Sequence, residues 1–344
     1  MLPEAGQDEL QAGGNRERAK LRVRERGLTS VNVHPLATLA LAAAGVGLLT
    51  WFAAGRPQHS GSGPRRHFHP RSDVANTNAA QRLNHGSTLL AASVLLDSGL
   101  EHYRGQYFNR AMYTPVLVSS AVLASSLHGA GDAGARSSRV RHAVQALAGL
   151  TGVVGLGFHA YNVGKREGGY RWENLFYAAP IGAPFALTLA GVLGGAAERV
   201  RDADPRDALL LGLPAGPLLA AGTALGLAGT VGEAGLLHFR GAYHNPAMFL
   251  PVSVPPLAGA LLAWAAVRGS GRRPLTRGWL WATAALGLGG VGFHTYGISR
   301  KMGGWRNWSQ NLLSGPPLPA PPAFTGLALA GLAALDLLER REHA

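Results

Sequence analysis

The chain has 344 residues, no cysteine, and 32 Lys and Arg against 19 Asp and Glu, for a formal net charge of +13. The absence of thiols excludes disulfides, thiolate metal sites and cysteine nucleophiles. The positive balance would suit a nucleic-acid binder, but its distribution points to arginine-bearing loops at lipid headgroups, with no nucleic-acid partner.

Charges are bunched. They leave charge-free runs at 27–55, 111–131, 142–164, 174–197, 208–232, 241–267, 278–299 and 307–335, each 21 residues or longer. A run of that length crosses a hydrocarbon core as a helix. A mean hydropathy of only +0.08 reflects the charged connections and the heavy use of small residues, which let membrane helices approach closely. The expected fold class is therefore an all-α polytopic membrane protein with about nine transmembrane helices. The lipid bilayer is its first partner, and a bacterial cytoplasmic membrane is the expected location.

Residues 1–35 read as a polar, basic arm containing Arg16, Arg18, Lys20, Arg22, Arg24 and Arg26. The run 36–54 reads as a first transmembrane helix; a signal-peptide core would need a shorter leader and a clear cleavage site. Residues 55–83 read as a Gly- and Pro-bearing loop. A four-helix repeat over 84–197 then supplies helices at 84–103, 111–129, 142–163 and 174–196. A second over 208–338 supplies 208–238, 246–267, 278–298 and 315–338. Short connections predict antiparallel neighbours, hence two tandem four-helix bundles in the same orientation.

The repeat is read from two matched pairs. Glu101-His102-Tyr103-Arg104-Gly105, with Tyr107, Asn109, Ala111, Met112 and Pro115, matches Leu237-His238-Phe239-Arg240-Gly241, with Tyr243, Asn245, Ala247, Met248 and Pro251. Gly157-Phe158-His159-Ala160-Tyr161, with Arg166, Gly168, Gly169 and Arg171, matches Gly292-Phe293-His294-Thr295-Tyr296, with Arg300, Gly303, Gly304 and Arg306. Both pairs recur at nearly the same offset, which marks an internal duplication. Each matched histidine ends the first or third helix of its repeat, so all four belong on one membrane face. The side of that face is drawn two ways. The N-terminal arm pulls it to the cytoplasm. The opposite connections, rich in arginine from Arg136 to Arg141, Arg199 to Arg206 and Arg268 to Arg277, pull themselves there instead, and they outnumber the arm.

Gly152 and Gly155 stand at i−7 and i−4 from His159, as do Gly287 and Gly290 from His294, while Gly99 and Gly235 stand at i−3 from His102 and His238. Those spacings put glycines on the histidine's own face. A strip without side chains leaves room for a flat group, and haem b ligated by His102 with His159, and by His238 with His294, is the expected cofactor. Arg104, Arg166, Arg240 and Arg300 are candidate partners for its propionates. The plainer alternatives are helix packing for the glycines and a carbonyl partner for each histidine. A non-haem metal at Glu101, His102 and His159 is less attractive, because Leu237 replaces Glu101 in the second copy.

Asp97 and Glu233 are aligned acids, five residues before His102 and His238. That is about 140° of helix rotation from the histidine face. A carboxylate inside an apolar helix needs a partner, a proton or a task, and proton delivery to a quinone is the expected one. The function expected is an integral membrane redox subunit that binds haem b, a quinone or both and exchanges electrons with a partner enzyme. A proton-coupled small-solute transporter or channel is the first alternative, since repeats and proline-broken helices also describe carriers. A non-catalytic scaffold is the second.

Overall fold

The computed structural model describes residues 70–134, 136–177, 181–203 and 208–342. The basic arm 1–35, the expected helix 36–54 and residues 55–69 of the expected loop lie outside the described residues. The structure is mostly helical, 81%. In chain order it contains α1 (Pro70–Arg104), α2 (Tyr113–Gly131), α3 (Arg139–Gly164), α4 (Trp172–Tyr177) and α5 (Gly182–Asp202). There follow the two-residue strands β1 (Leu209–Leu210) and β2 (Leu213–Pro214), then α6 (Ala215–Arg240), α7 (Val254–Arg268), α8 (Pro274–Ser299), α9 (Trp308–Ser314) and α10 (Pro322–Glu342).

Among the described residues, four spans are long and apolar enough to cross a membrane: Arg139–Gly164, Ala215–Arg240, Pro246–Arg268 and Pro322–Glu342. Leu117, Leu147, Leu225, Trp264 and Leu288 are at least half exposed along the helices. So much outward apolar surface is consistent with lipid contact.

Prolines set several boundaries that differ from the sequence reading. Residues 70–83, expected as loop, are the first turns of α1. Pro70 fits a first helical turn, where its missing N–H is no loss. Their polar composition hides an inward face of Ala79, Ala80 and Leu83. On that face Asn76 Nδ2 donates to Ala203 O at 3.1 Å, and Arg340 Nη1 donates to Asn76 Oδ1 at 2.9 Å. The helix expected at 174–196 is instead α4 and α5, with Pro184 in the first turn of α5. The helix expected from 315 starts at Pro322, after Pro316, Pro317, Pro319 and Pro321. Before α6, β1 and β2 pair antiparallel across Leu211 and Gly212. Before α7, a 3₁₀ segment (Pro246–Val252) contains Pro251, which cannot donate to an α-helical ladder.

The described residues form two compact units. In the main unit, α1 packs on α2, α5 and α10, while α6 packs on α7 and α10, and α8 packs on α7 and α10. The core runs along α10, where Leu327, Leu332, Leu335 and Leu338 are fully buried. Backbone contact sets the α1/α10 crossing: a methyl on Gly86 would stand 2.7 Å from Gly326 O, and one on Gly326 would stand 2.9 Å from Gly86 O. Residues 139–156 of α3 also belong to this unit.

The smaller unit's described residues, 157–177, hold the end of α3, a turn and α4. Gly168 (φ 87°) and Gly169 (φ 63°) make the turn in the left-handed region. Asn174 Nδ2 ties it down by donating to Glu167 O at 2.9 Å and Gly169 O at 2.7 Å.

Ion networks close the end of the main unit away from the N-terminus of α10. Arg141 Nε and Nη2 donate to the Glu198 carboxylate at 2.7 and 2.9 Å, and Arg141 Nη1 reaches Asp132 Oδ2 at 2.8 Å. Arg201 donates to Gly129 O, Asp132 O and Gly134 O at 2.7 Å. Arg277 bridges Asp336 at 2.8 Å and Glu339 at 2.9 Å, and Arg82 also pairs with Asp336. Several arginines expected at headgroups are therefore internal clamps. Arg141 is 5% exposed and Arg201 3%, so a count of loop arginines overstates the charge facing the membrane surface.

Candidate functional site

Each matched histidine of the main unit sits in a prepared position. His102 closes α1, and its Nδ1 lies 2.6 Å from Met112 O. His238 closes α6, with Nδ1 2.9 Å from Met248 O. His294, near the end of α8, holds Nδ1 2.6 Å from Pro317 O. A carbonyl oxygen only accepts, so each Nδ1 is the donor. In a neutral imidazole this leaves the lone pair on Nε2. Such anchoring is what orients histidines that bind metals. His238 and His294 lie within electrostatic reach of each other. His159 belongs to the smaller unit, in the last turns of α3.

The turn that positions His102 recurs at His238 atom for atom. Tyr107 N donates to His102 O at 3.0 Å, and Tyr243 N to His238 O at 3.1 Å. Tyr107 Oη donates to Gly99 O at 3.2 Å, and Tyr243 Oη to Gly235 O at 3.1 Å. Asn109 and Asn245 each accept from an amide two residues on, at 2.9 Å. Two left-handed non-glycine residues make each turn: Gln106 and Tyr107 at φ 56° and 46°, Ala242 and Tyr243 at 55° and 45°. Such backbone is costly unless the surroundings hold it. Here the tyrosine hydroxyl and a ring stack do so: Tyr107 on Tyr113 at 4.3 Å, Tyr243 on Phe249 at 4.5 Å. Tyr107, Tyr243, Asn109 and Asn245 are the positioning residues that a search for ligands passed over. Their presence in both matched segments was the available signal.

The glycine strips have a different use from the one expected. A methyl on Gly152 would stand 2.3 Å from Thr188 Oγ1 and 2.6 Å from Pro184 O. One on Gly287 would stand 2.3 Å from Thr325 Oγ1 and 2.8 Å from Pro321 O. A methyl on Gly290 would stand 2.7 Å from Pro321, while one on Gly155 would make ordinary contact with Pro184 at 3.4 Å. These glycines admit the first turns of α5 and α10, so they leave no slot for a flat ligand.

The arginines are also placed. Arg104 Nη1 pairs with Glu101 Oε1 at 2.6 Å, which gives Glu101 an ion-pair role. Arg300 lies over Tyr296 and donates to its hydroxyl at 3.0 Å. Arg240 ends α6, and Arg166 enters the Gly-Gly turn of the smaller unit. Arg300 and the matching Gly303-Gly304 turn are followed by α9, where Asn311 Nδ2 donates to Met302 O and Gly304 O at 3.1 and 2.8 Å.

Asp97 on α1 and Glu233 on α6 lie within electrostatic reach of each other and are half-buried. Among the described residues no cation or hydrogen-bond donor pairs with either carboxylate. The first turn of α5 meets Glu233 so closely that a methyl on Gly182 would overlap its carboxylate. Two carboxylates so placed, next to a helix N-terminus, suit the holding and passing of a proton or cation.

No family model, curated protein or solved structure matches the chain.

Proposed function

We propose that this chain is the integral membrane subunit of a redox complex, with haem b or quinone chemistry at the histidine end and electrons exchanged with a partner enzyme. In this reading all eight long helices of the described residues cross the bilayer, residues 36–54 add a ninth, and 84–197 and 208–338 are two equivalent four-helix halves. The single observation that carries it is the shared anchoring of His102, His238 and His294 through Nδ1 to a backbone carbonyl. A carbonyl partner at Nδ1 also serves a structural histidine; what this reading adds is a use for the Nε2 lone pair that the bond leaves.

His238 and His294 are the pair that would hold haem iron. The group, when bound, supplies one-electron transfer. The backbone carbonyls of Met248 and Pro317 fix the two rings and raise the basicity of Nε2. In this reading Asp97 and Glu233 hold a proton at their carboxylates. Proton uptake at those acids accompanies quinone reduction in this reading.

The test is a reduced-minus-oxidised visible spectrum of the protein purified in mild detergent after expression with ample haem. The expected result is a b-type absorption pair, lost on His238→Ala or His294→Ala and kept on His244→Ala. A colourless, well-folded preparation overturns the haem assignment.

A second reading, a proton-coupled small-solute transporter, draws on the Asp97–Glu233 pair and on the proline-broken entries to α5 and α10. It is distinguished by proton-driven uptake into vesicles that Asp97→Asn with Glu233→Gln abolishes.

A further inference from the structure

An open groove of about 660 Å³ lies between the turn after α1 and helix α9. Its wall includes Tyr103, Arg104, Gln106, Tyr113, Gln310 and Ser314, and the ring of Tyr107 stacks behind Tyr113 at 4.3 Å. The volume lies within the ordinary range for small-molecule pockets. Its chemistry is unusual for a membrane surface. Among the described residues, the hydroxyls of Tyr103 and Tyr113 and the side-chain amides of Gln106 and Gln310 hydrogen-bond no other protein group. Arg104, the only cation on the wall, is neutralised by Glu101 at 2.6 Å. The groove is donor-rich and aromatic, and the Lys301 ammonium borders it by donating to Ser314 Oγ at 3.3 Å.

The second copy of the turn shows which of these features the fold itself needs. It keeps the histidine, the stacked tyrosine, the capping asparagine and the same left-handed backbone. It loses the polar groups of the wall: Phe239 stands for Tyr103, Ala242 for Gln106 and Phe249 for Tyr113. Glu101, whose carboxylate neutralises the arginine, is Leu237. The turn folds identically without those hydroxyls and that amide, so folding does not explain them.

We propose that this groove, in the first copy alone, binds the headgroup of a quinone. The assignment rests on the redox reading above and gives that reading its substrate site. A neutral ring bearing carbonyl acceptors matches the donors of Tyr103, Gln106, Tyr113 and Gln310. The Glu101–Arg104 pair neutralises the one wall arginine, and Lys301, bonded to Ser314, adds a further donor for a ring carbonyl. The stacked tyrosines offer an aromatic face, and the outward opening lets an isoprenoid tail stay in lipid.

The test is a calorimetric titration of the full chain in detergent micelles with decylubiquinone. Saturable binding of one quinone per chain is expected. The combined variant Tyr103→Phe, Gln106→Ala, Tyr113→Phe carries residues that the second copy already accommodates, so it retains the fold. It is expected to bind about tenfold or more weakly, as loss of several hydrogen bonds implies. The reciprocal variant Phe239→Tyr, Ala242→Gln, Phe249→Tyr is expected to bind as the parent does. No saturable binding, or unchanged binding by the first variant, overturns the proposal. Binding of phosphatidylglycerol but not decylubiquinone, with the same dependence on those three residues, also overturns it and assigns the groove to an anionic headgroup. The titration needs no electron transfer. A colourless protein that binds quinone here keeps the site and loses the haem, whereas a b-type spectrum without groove-dependent binding removes only the site.

Discussion

The two ends of the main unit are held by different chemistry. Away from the histidines, guanidinium groups are matched to carboxylates and carbonyls: Arg141 to Glu198 and Asp132, Arg277 to Asp336 and Glu339, Arg201 to three backbone oxygens. At the histidine end, imidazoles and tyrosine hydroxyls bond to backbone carbonyls, and Asp97, Glu233, Tyr103, Gln106 and Tyr113 are left available. One end commits its polar groups to holding the helices together. The other holds two strained turns with few bonds and keeps the remainder for a ligand or a proton.

The largest expected effect breaks the clamped end. Glu198 is 1% exposed and accepts from Arg141 Nε and Ser138 N, both at 2.7 Å. Glu198→Ala removes the two-point partner of a buried guanidinium, leaving it only the more exposed Asp132, and is expected to cost about 3 kcal/mol. Thermal unfolding in detergent would read this. The double variant Arg141→Met, Glu198→Leu should be clearly more stable than Glu198→Ala, because the buried guanidinium leaves with its partner and Asp132, nearer the surface, keeps the Gly134 N–H.

A middle-sized effect tests the crossing that joins the ends. Gly86→Val places a side chain against the Gly326 carbonyl, which is backbone and cannot swing aside. The expected loss is about 1–3 kcal/mol, with the helices forced apart. A denaturant midpoint unchanged from the parent would contradict the close approach of α1 and α10.

The smallest effect is electrostatic. The Gly134 N–H foremost, then the guanidinium of Arg141 and the charge of Arg201, hold the Asp132 carboxyl below the usual carboxylate range, against the opposing effect of desolvation. A group whose folded pKa is depressed stabilises the fold fully above its unfolded pKa and loses that contribution as pH falls through the folded value. Stability should therefore decline as the medium is acidified below the ordinary carboxylate range, and Asp132→Asn should flatten part of that decline. The difference at neutral pH should stay under about 1 kcal/mol, as for partly exposed pairs.

Much of the histidine end was legible in the amino-acid order. The matched segments around His102 and His238 adopt the same turn because the residues that build it, Gly105/Gly241, Tyr107/Tyr243, Asn109/Asn245 and Met112/Met248, are themselves matched. The glycines below His159 and His294 were not legible in the same way. A missing side chain is identical in sequence whether the space is empty or filled by Pro184 and Pro321 from another helix. Nor did charge runs reveal which arginines face water, since Arg141 and Arg201 find their partners far along the chain.

By itself the sequence determined the long apolar runs and the matched histidines and acids, because run length and side-chain type are local properties. Only the tertiary structure decided that Glu233 lies against the first turn of α5, that Nδ1 of each anchored histidine is committed to a carbonyl, and that Tyr103, Gln106 and Tyr113 share a groove with α9. Those facts depend on segments tens to hundreds of residues apart, and the packing of α1, α6 and α10 brings them together.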